Sequence, residues 1–322
     1  MFDLDTLRLR AQLVYRHMSP TPQMAWPLLT ERLGCEVWVK HENHAPTAAF
    51  KVRGGLVYVD QLLHREPDVR GLITATRGNH GQSLALAARL AGVPIRILVP
   101  HGNAREKNAA MRALGAEVIE YGADFDEARA AAMSQAQSLG LHAVPSLHED
   151  LICGVATYAL ELLEATPPLK RVYVPIGLGS GICGMLRTRD LLGLDTEVIG
   201  VVATGADAYA QSFEQRRLIE TARAETLADG MACRVPQALT LDMLLKGASR
   251  IVRVSDEEIR QAIRAYHEDT HNLAEGAGAA ALAAAMQERD INAGERIAVV
   301  LSGANIDRRQ LAQLLSEPRQ AA

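Results

Sequence analysis

Residues 71–92 read GLITATRGNHGQSLALAARLAG. The first six form a short apolar β-rich run, the next five a glycine-containing loop, and the rest a helical stretch. Strand, loop and helix in this order make the repeating unit of an α/β protein. The unit returns at RVYVPI-GLGSG-ICGMLRTRD, residues 171–190. Working outward, further β-rich runs stand at EVWVKHE (36–42), IRILVP (95–100), AEVIEYG (116–122) and HAVPSL (142–147). Others follow at TEVIGVVA (196–203), RIVRVS (250–255) and RIAVVLSG (296–303). Helical stretches such as EKNAAMRALG, DEARAAAMSQAQSLG and TYALELLEA separate them. The alternation predicts an α/β protein with parallel-type open sheets, without internal repeats. The end, SEPRQAA, reads as a frayed tail.

Composition narrows the class. A chain of 322 residues, 48% hydrophobic and 22% charged, is long enough for a large core and most naturally two domains. A formal net charge of −4 with no basic stripe argues against a nucleic-acid partner. The N-terminus MFDLDTLRLRAQ carries charges early and lacks a secretory apolar segment. The longest apolar run, AGAAALAAAM (277–286), is too short and Ala-rich to span a bilayer. Cys35, Cys153, Cys183 and Cys233 are far apart and form no CxxC or His/Cys cluster, so neither disulfides nor zinc are indicated. A cytoplasmic location is expected.

In open α/β sheets, ligands sit at the carboxyl ends of strands, where loops enter helix N-termini. Free backbone N–H groups and the positive end of the helix dipole bind anions there. Either glycine loop alone is equally a tight turn, and GLGSG fits neither GxGxxG nor a P-loop. A third stretch, HENHAPTAAFKVRGG (41–55), carries Lys51 among small, apolar and glycine residues. A lysine is ordinarily solvated, yet these neighbours do not suit an exposed helix. Two anion loops and one special lysine together suit pyridoxal 5′-phosphate and an amino acid. The lysine would join the cofactor aldehyde, one loop would hold the phosphate and the other the α-carboxylate.

With SPTPQMAWPLL, HENHAPTAAFKVRGG, TRGNHGQS, MRALGAEVIEYG, VPIGLGSGICG, EGAGAAALAA and VLSGANID in this order, the chain resembles fold type II (β-family) pyridoxal-phosphate enzymes. Within them it is most similar to the threonine/serine dehydratase and serine racemase branch, from about Pro20 to Asp307. The resemblance implies two α/β domains with the cofactor in the cleft between them. Residues 1–52 and 148–322 would form the large cofactor domain, and 53–147 a smaller, inserted, mobile one. It implies that Lys51 is the Schiff-base lysine and base, with Phe50 near the cofactor ring. Asn79 would bond the ring's 3′-oxygen, Gly177, Leu178, Gly179, Ser180 and Gly181 the phosphate, and Ser302 the pyridine nitrogen. Thr76, Arg77, Gly78 and His80 would line the substrate carboxylate site. A neutral Ser302 makes the ring a milder electron sink, which favours loss of a β-substituent over transamination. The implied product pair is a 2-oxo acid and ammonia, and the implied assembly a homodimer.

Several positions depart from the branch. Ala48-Ala49 replaces the usual Gly-Ser before Phe-Lys. Arg77 replaces the serine that donates a proton on the opposite cofactor face in serine racemase, and arginine is a poor proton shuttle. The acidic metal ligands of serine racemase fall on Val202 and Ala208, so no such metal site is expected. With SGANID so near the end of the sequence, the regulatory domain of biosynthetic dehydratases is not expected. The expected activity is therefore β-elimination of water from a threonine- or serine-type β-hydroxy amino acid. A 3-phenylserine, a 3-hydroxyaspartate or a hydroxyectoine-pathway compound remains an alternative substrate. A β-replacement transferase of the cysteine synthase type and a non-catalytic amino-acid sensor are the other classes.

Overall fold

The computed structural model describes residues 1–316. Residues 317–322, and with them most of the expected frayed tail, lie outside the described residues. The strands are β1 (Gln23–Ala25), β2 (Glu36–His41), β3 (Leu72–Ala75), β4 (Ile95–Val99) and β5 (Glu117–Glu120). The second half of the chain supplies β6 (His142–Ala143), β7 (Arg171–Pro175), β8 (Glu197–Ala203), β9 (Ala248–Val254) and β10 (Arg296–Leu301). They form a larger sheet, β1-β2-β10-β7-β8-β9, and a smaller one, β5-β4-β3-β6. Every neighbouring pair is parallel except β1 with β2.

Parallel strands need long crossovers, which lay helices over both sheet faces. The central strands are therefore apolar on both sides, and all four residues of β3 are buried. The Ala-rich run is the core of the helix Gly276–Gln287, buried from Gly276 to Ala285 and packed against β7 to β10. Small side chains let it approach closely. A Cβ on Gly278 would lie 2.1 Å from the Gly303 carbonyl oxygen, which brings this helix against the end of β10. Among the described residues no helix is long and apolar enough to cross a membrane.

Two expectations need correction. HAVPSL is a strand only over His142–Ala143. Val144 N still donates to the Ile73 carbonyl, but Pro145 has no N–H with which to continue the ladder. The antiparallel β1 lies inside SPTPQMAWPLL, where prolines on either side masked a three-residue edge strand. The smaller sheet falls between residues 72 and 143. The helix Lys51–Arg65 leads into it and Glu149–Ala165 leads out, and the two helices pack together.

Candidate active site

The carboxyl ends of β2, β3, β7 and β10 carry the segments that converge. After β2 the chain turns through residues 42–50 into the helix Lys51–Arg65. Residues 48–50 are stitched to 302–304 beyond β10. Phe50 N donates to the Ser302 carbonyl, Ala304 N donates to the Ala48 carbonyl, and Ala49 bridges Gly303. Ala48 sits at φ 51°, a left-handed conformation that costs a residue with a Cβ roughly 1–2 kcal/mol. The strain marks one place where this chain departs from the branch's glycine.

Lys51 Nζ donates to Ser180 Oγ at 2.8 Å and lies 4.8 Å from the Phe50 ring centroid. Burial pushes its ammonium down to about 8, so roughly a tenth of it is neutral at pH 7, far more than for a solvated lysine. Ser180 opens the helix Ser180–Leu191 after the loop Gly177–Gly179. Gly179 has φ 106°, and a Cβ there would lie 2.2 Å from Thr240 Cγ2. A Cβ on Gly177 would lie 2.2 Å from the Gly230 carbonyl oxygen. The Leu178 carbonyl accepts from the Tyr209 and Thr240 hydroxyls, which fixes the loop. Among the described residues the N–H groups of Ser180, Gly181 and Ile182 have no hydrogen-bond acceptor. Such a cradle of free donors at a helix N-terminus fits a phosphate group.

The loop after β3 is built differently. Thr76 Oγ1 accepts from the N–H groups of Gly78 and Gly81. The N–H groups of Arg77, Asn79 and His80 are without acceptors among the described residues. A Cβ on Gly78 would lie 2.4 Å from Lys107 Cδ, so only glycine fits. Arg77 is exposed and makes no hydrogen bond or ion pair among the described residues. The His80 ring bonds the Pro145 carbonyl, its Nε2 is buried without a partner, and burial pushes it down to about 3. It is therefore a neutral imidazole. Ser302 Oγ donates to the Ala277 carbonyl at 3.2 Å.

Two groups of charges went unread in the sequence. Arg53, two residues past Lys51, is fully buried, and its guanidinium pairs with Glu42 and Glu161. Glu161 also holds the buried Lys40 at 2.5 Å. Near the β3 loop, Glu275 accepts from Asn79 Nδ2, while Lys107 pairs with Glu275 and Asp229. Glu275 stood in the EGAGAAALAA motif without a role. Val202, near the end of β8, and Ala208, just after it, are buried, and Asp207 pairs with Arg253 at 2.9 Å. Among the described residues no group of His, Cys, Asp and Glu could hold a metal ion.

A family model described as "Pyridoxal-phosphate dependent enzyme" matches residues 14–303. The L-threonine ammonia-lyase of Thermotoga maritima is 34% identical over 291 residues, 90% of this chain and 72% of that protein. The L-threo-3-hydroxyaspartate ammonia-lyase of Saccharomyces cerevisiae is 28% identical over 94% of this chain and 93% of that protein. The solved structure of the processed form of threonine deaminase isoform 2 from Solanum lycopersicum superposes with a TM-score of 0.89 at 29% identity. That match covers 97% of this chain and 93% of the other.

Proposed function

This chain belongs to the pyridoxal-phosphate dependent enzyme family, and we propose that its cleft removes water from a β-hydroxy-α-amino acid of the threonine or serine type. The unsaturated amine that results takes a water back as its imine, and the products are a 2-oxo acid and ammonia. One observation carries the reading. Among the described residues, an amine without a carboxylate partner meets two loops of unpaired N–H groups at four strand ends. The names of the Thermotoga and yeast relatives support the same reaction class.

Lys51, the N–H groups of residues 180–182, Asn79 and Ser302 would hold the cofactor. When bound, pyridoxal 5′-phosphate supplies an electron sink for the bonds at the substrate's Cα. The N–H groups of Arg77, Asn79 and His80 bind and orient the α-carboxylate. Lys51 Nζ takes the Cα proton, and Ser180 Oγ beside it keeps the amine aligned. Ser302 offers a neutral hydroxyl. The inserted span 53–147 would be the mobile part. Loading the apoprotein with the cofactor and assaying 2-oxo acid release on a panel of hydroxyamino acids tests the reading. Release from none of them, with sulfide incorporation from O-acetylserine, would favour the β-replacement class.

A second substrate reading has one observation behind it, the unpartnered Arg77. Its guanidinium suits an anionic group beyond Cβ, as in a 3-hydroxyaspartate. A charge-assisted hydrogen bond of this kind contributes roughly 1.5–3 kcal/mol, or about ten- to a hundredfold in kcat/KM. Arg77→Ser and Arg77→Ala should each lose that factor on the preferred substrate and keep cofactor affinity. Wild-type kcat/KM for both variants across the panel would remove Arg77 from the substrate site.

Chelator treatment should leave kcat/KM unchanged to within about twofold, because Val202 and Ala208 offer no hard oxygen ligands. The Arg253 guanidinium already occupies Asp207. Specific restoration of chelated enzyme by Mg²⁺ or Ca²⁺ would contradict this.

A further inference from the structure

Asn79 is held between two partners. Its Nδ2 donates to Glu275 Oε1, and its Oδ1 accepts from Asn305 Nδ2 at 2.9 Å. Asn305 Nδ2 also donates to the Thr47 carbonyl at 2.9 Å. Flipping the Asn79 amide would set its NH₂ against a donor and its oxygen against a carboxylate. The pair of neighbours therefore fixes one orientation, in which one Nδ2 hydrogen is used and the second is free.

Glu275 itself is locked. It is 3% exposed, and its N–H donates to the Gly303 carbonyl at 3.1 Å. A Cβ on Gly303 would lie 2.4 Å from Glu275 Oε1. Its charge is compensated from the other side of the cleft. Lys107, on the helix Arg105–Ala113 between β4 and β5, reaches Glu275 at 3.2 Å and Asp229 at 2.8 Å. Its stem packs against Gly78 of the β3 loop. Both acids belong to the part of the chain built on the larger sheet, whereas Lys107, Gly78 and Asn79 belong to the smaller. Separating the two parts would break the Lys107 ion pairs with Glu275 and Asp229 and the Asn79–Glu275 hydrogen bond together.

We infer that Glu275 is a positioning residue that sets the free Asn79 N–H toward the cofactor, and that Lys107 makes this setting conditional on closure of the cleft. The inference rests on the lyase reading for its purpose. Asn79 then holds the cofactor ring in one way when the cleft is shut and less firmly when it opens.

The test compares wild type, Glu275→Gln, Lys107→Met and the double variant as holoproteins without substrate. The visible absorption band of the bound cofactor is followed against pH, and its affinity is measured by titrating apoprotein. Because no substrate is needed, the outcome is independent of which amino acid the enzyme prefers. Each single variant should move the midpoint of the band's titration in the same direction and weaken cofactor affinity by about tenfold, the worth of one charge-assisted hydrogen bond. The double variant should move no further than the larger single, because the two residues act as one unit. In turnover, Glu275→Gln should lower kcat more than it changes KM. Wild-type titration midpoints in both single variants would overturn the inference, and so would shifts that add in the double. If Glu275→Gln does not fold, Lys107→Met alone decides by the same midpoint.

Discussion

Lys51→Ala is expected to abolish 2-oxo acid release and to leave no cofactor that borohydride can fix to the protein. The chain has five lysines. Lys40, Lys107, Lys170 and Lys246 each lie against a carboxylate. Lys51 alone, among the described residues, contacts a hydroxyl instead. Burial lowers the Lys40 ammonium too, but the Glu42 and Glu161 charges oppose it, whereas at Lys51 burial acts with no carboxylate against it. Removing this amine takes away the nucleophile and the base together, and the expected loss is on the order of 10³-fold or more.

A stability measurement separates this chemistry from misfolding. Burial pushes the Lys51 ammonium down to about 8 from the 10.5 of a solvated lysine. The folded apoprotein thus binds fewer protons than the unfolded chain between those values. The penalty for burying Lys51 is complete below pH 8 and fades as pH rises toward 10.5. Apoprotein carrying Lys51→Met should consequently melt above wild type at neutral pH, with the gap closing in alkali. A Lys51→Ala protein that stays yellow, reducible and active would end the assignment.

The parts of this molecule that repeat a local rule were legible in its sequence. Strand–glycine–helix junctions at 71–92 and 171–190 announced both loops, since glycine there answers a backbone demand that neighbouring residues cannot mask. Pro145 was equally visible, but its effect on HAVPSL needed the rule that a strand loses its ladder at proline. Arg53 stands two residues past Lys51 in the same stretch. Nothing local distinguishes a buried arginine from a solvated one near a helix start, because its partners are Glu42 and Glu161, 11 and 108 positions away. Glu275 and Lys107 are 168 positions apart, and their pairing exists only where the two sheets' parts meet. Ala48 shows the opposite case. The substitution was plain in the sequence, and only the backbone revealed that it sits in a left-handed conformation.

Glu161→Ala should destabilise the fold by about 3–5 kcal/mol, the usual cost of breaking a buried ion pair from one side. The carboxylate accepts from Arg53 Nη1 at 2.6 Å, from Arg53 Nη2 at 2.8 Å, from Lys40 Nζ at 2.5 Å and from Thr21 N at 3.2 Å. Arg53 and Lys40 have no exposed side-chain surface. Alanine would leave two buried cations sharing what remains of Glu42 and a few neutral acceptors. The pair also ties the helix that begins with Lys51 to β2 and to the helix Glu149–Ala165, so the damage reaches the site. Urea unfolding measures the cost, and a loss under about 1 kcal/mol, the level of an exposed pair, would show that the cluster relaxes without Glu161. The pH dependence carries a second check. Burial raises the Glu161 carboxyl, but the Arg53 and Lys40 charges outweigh it and hold the group below the 4.5 of a solvated glutamate. A depressed carboxyl contributes stability that is full above pH 4.5 and is lost as pH falls through its folded value. Wild type should lose stability along that descent, while Glu161→Gln, already weakened and without a proton to take up, should follow a flatter curve. Parallel curves for the two proteins would mean that the carboxylate is not what acid removes.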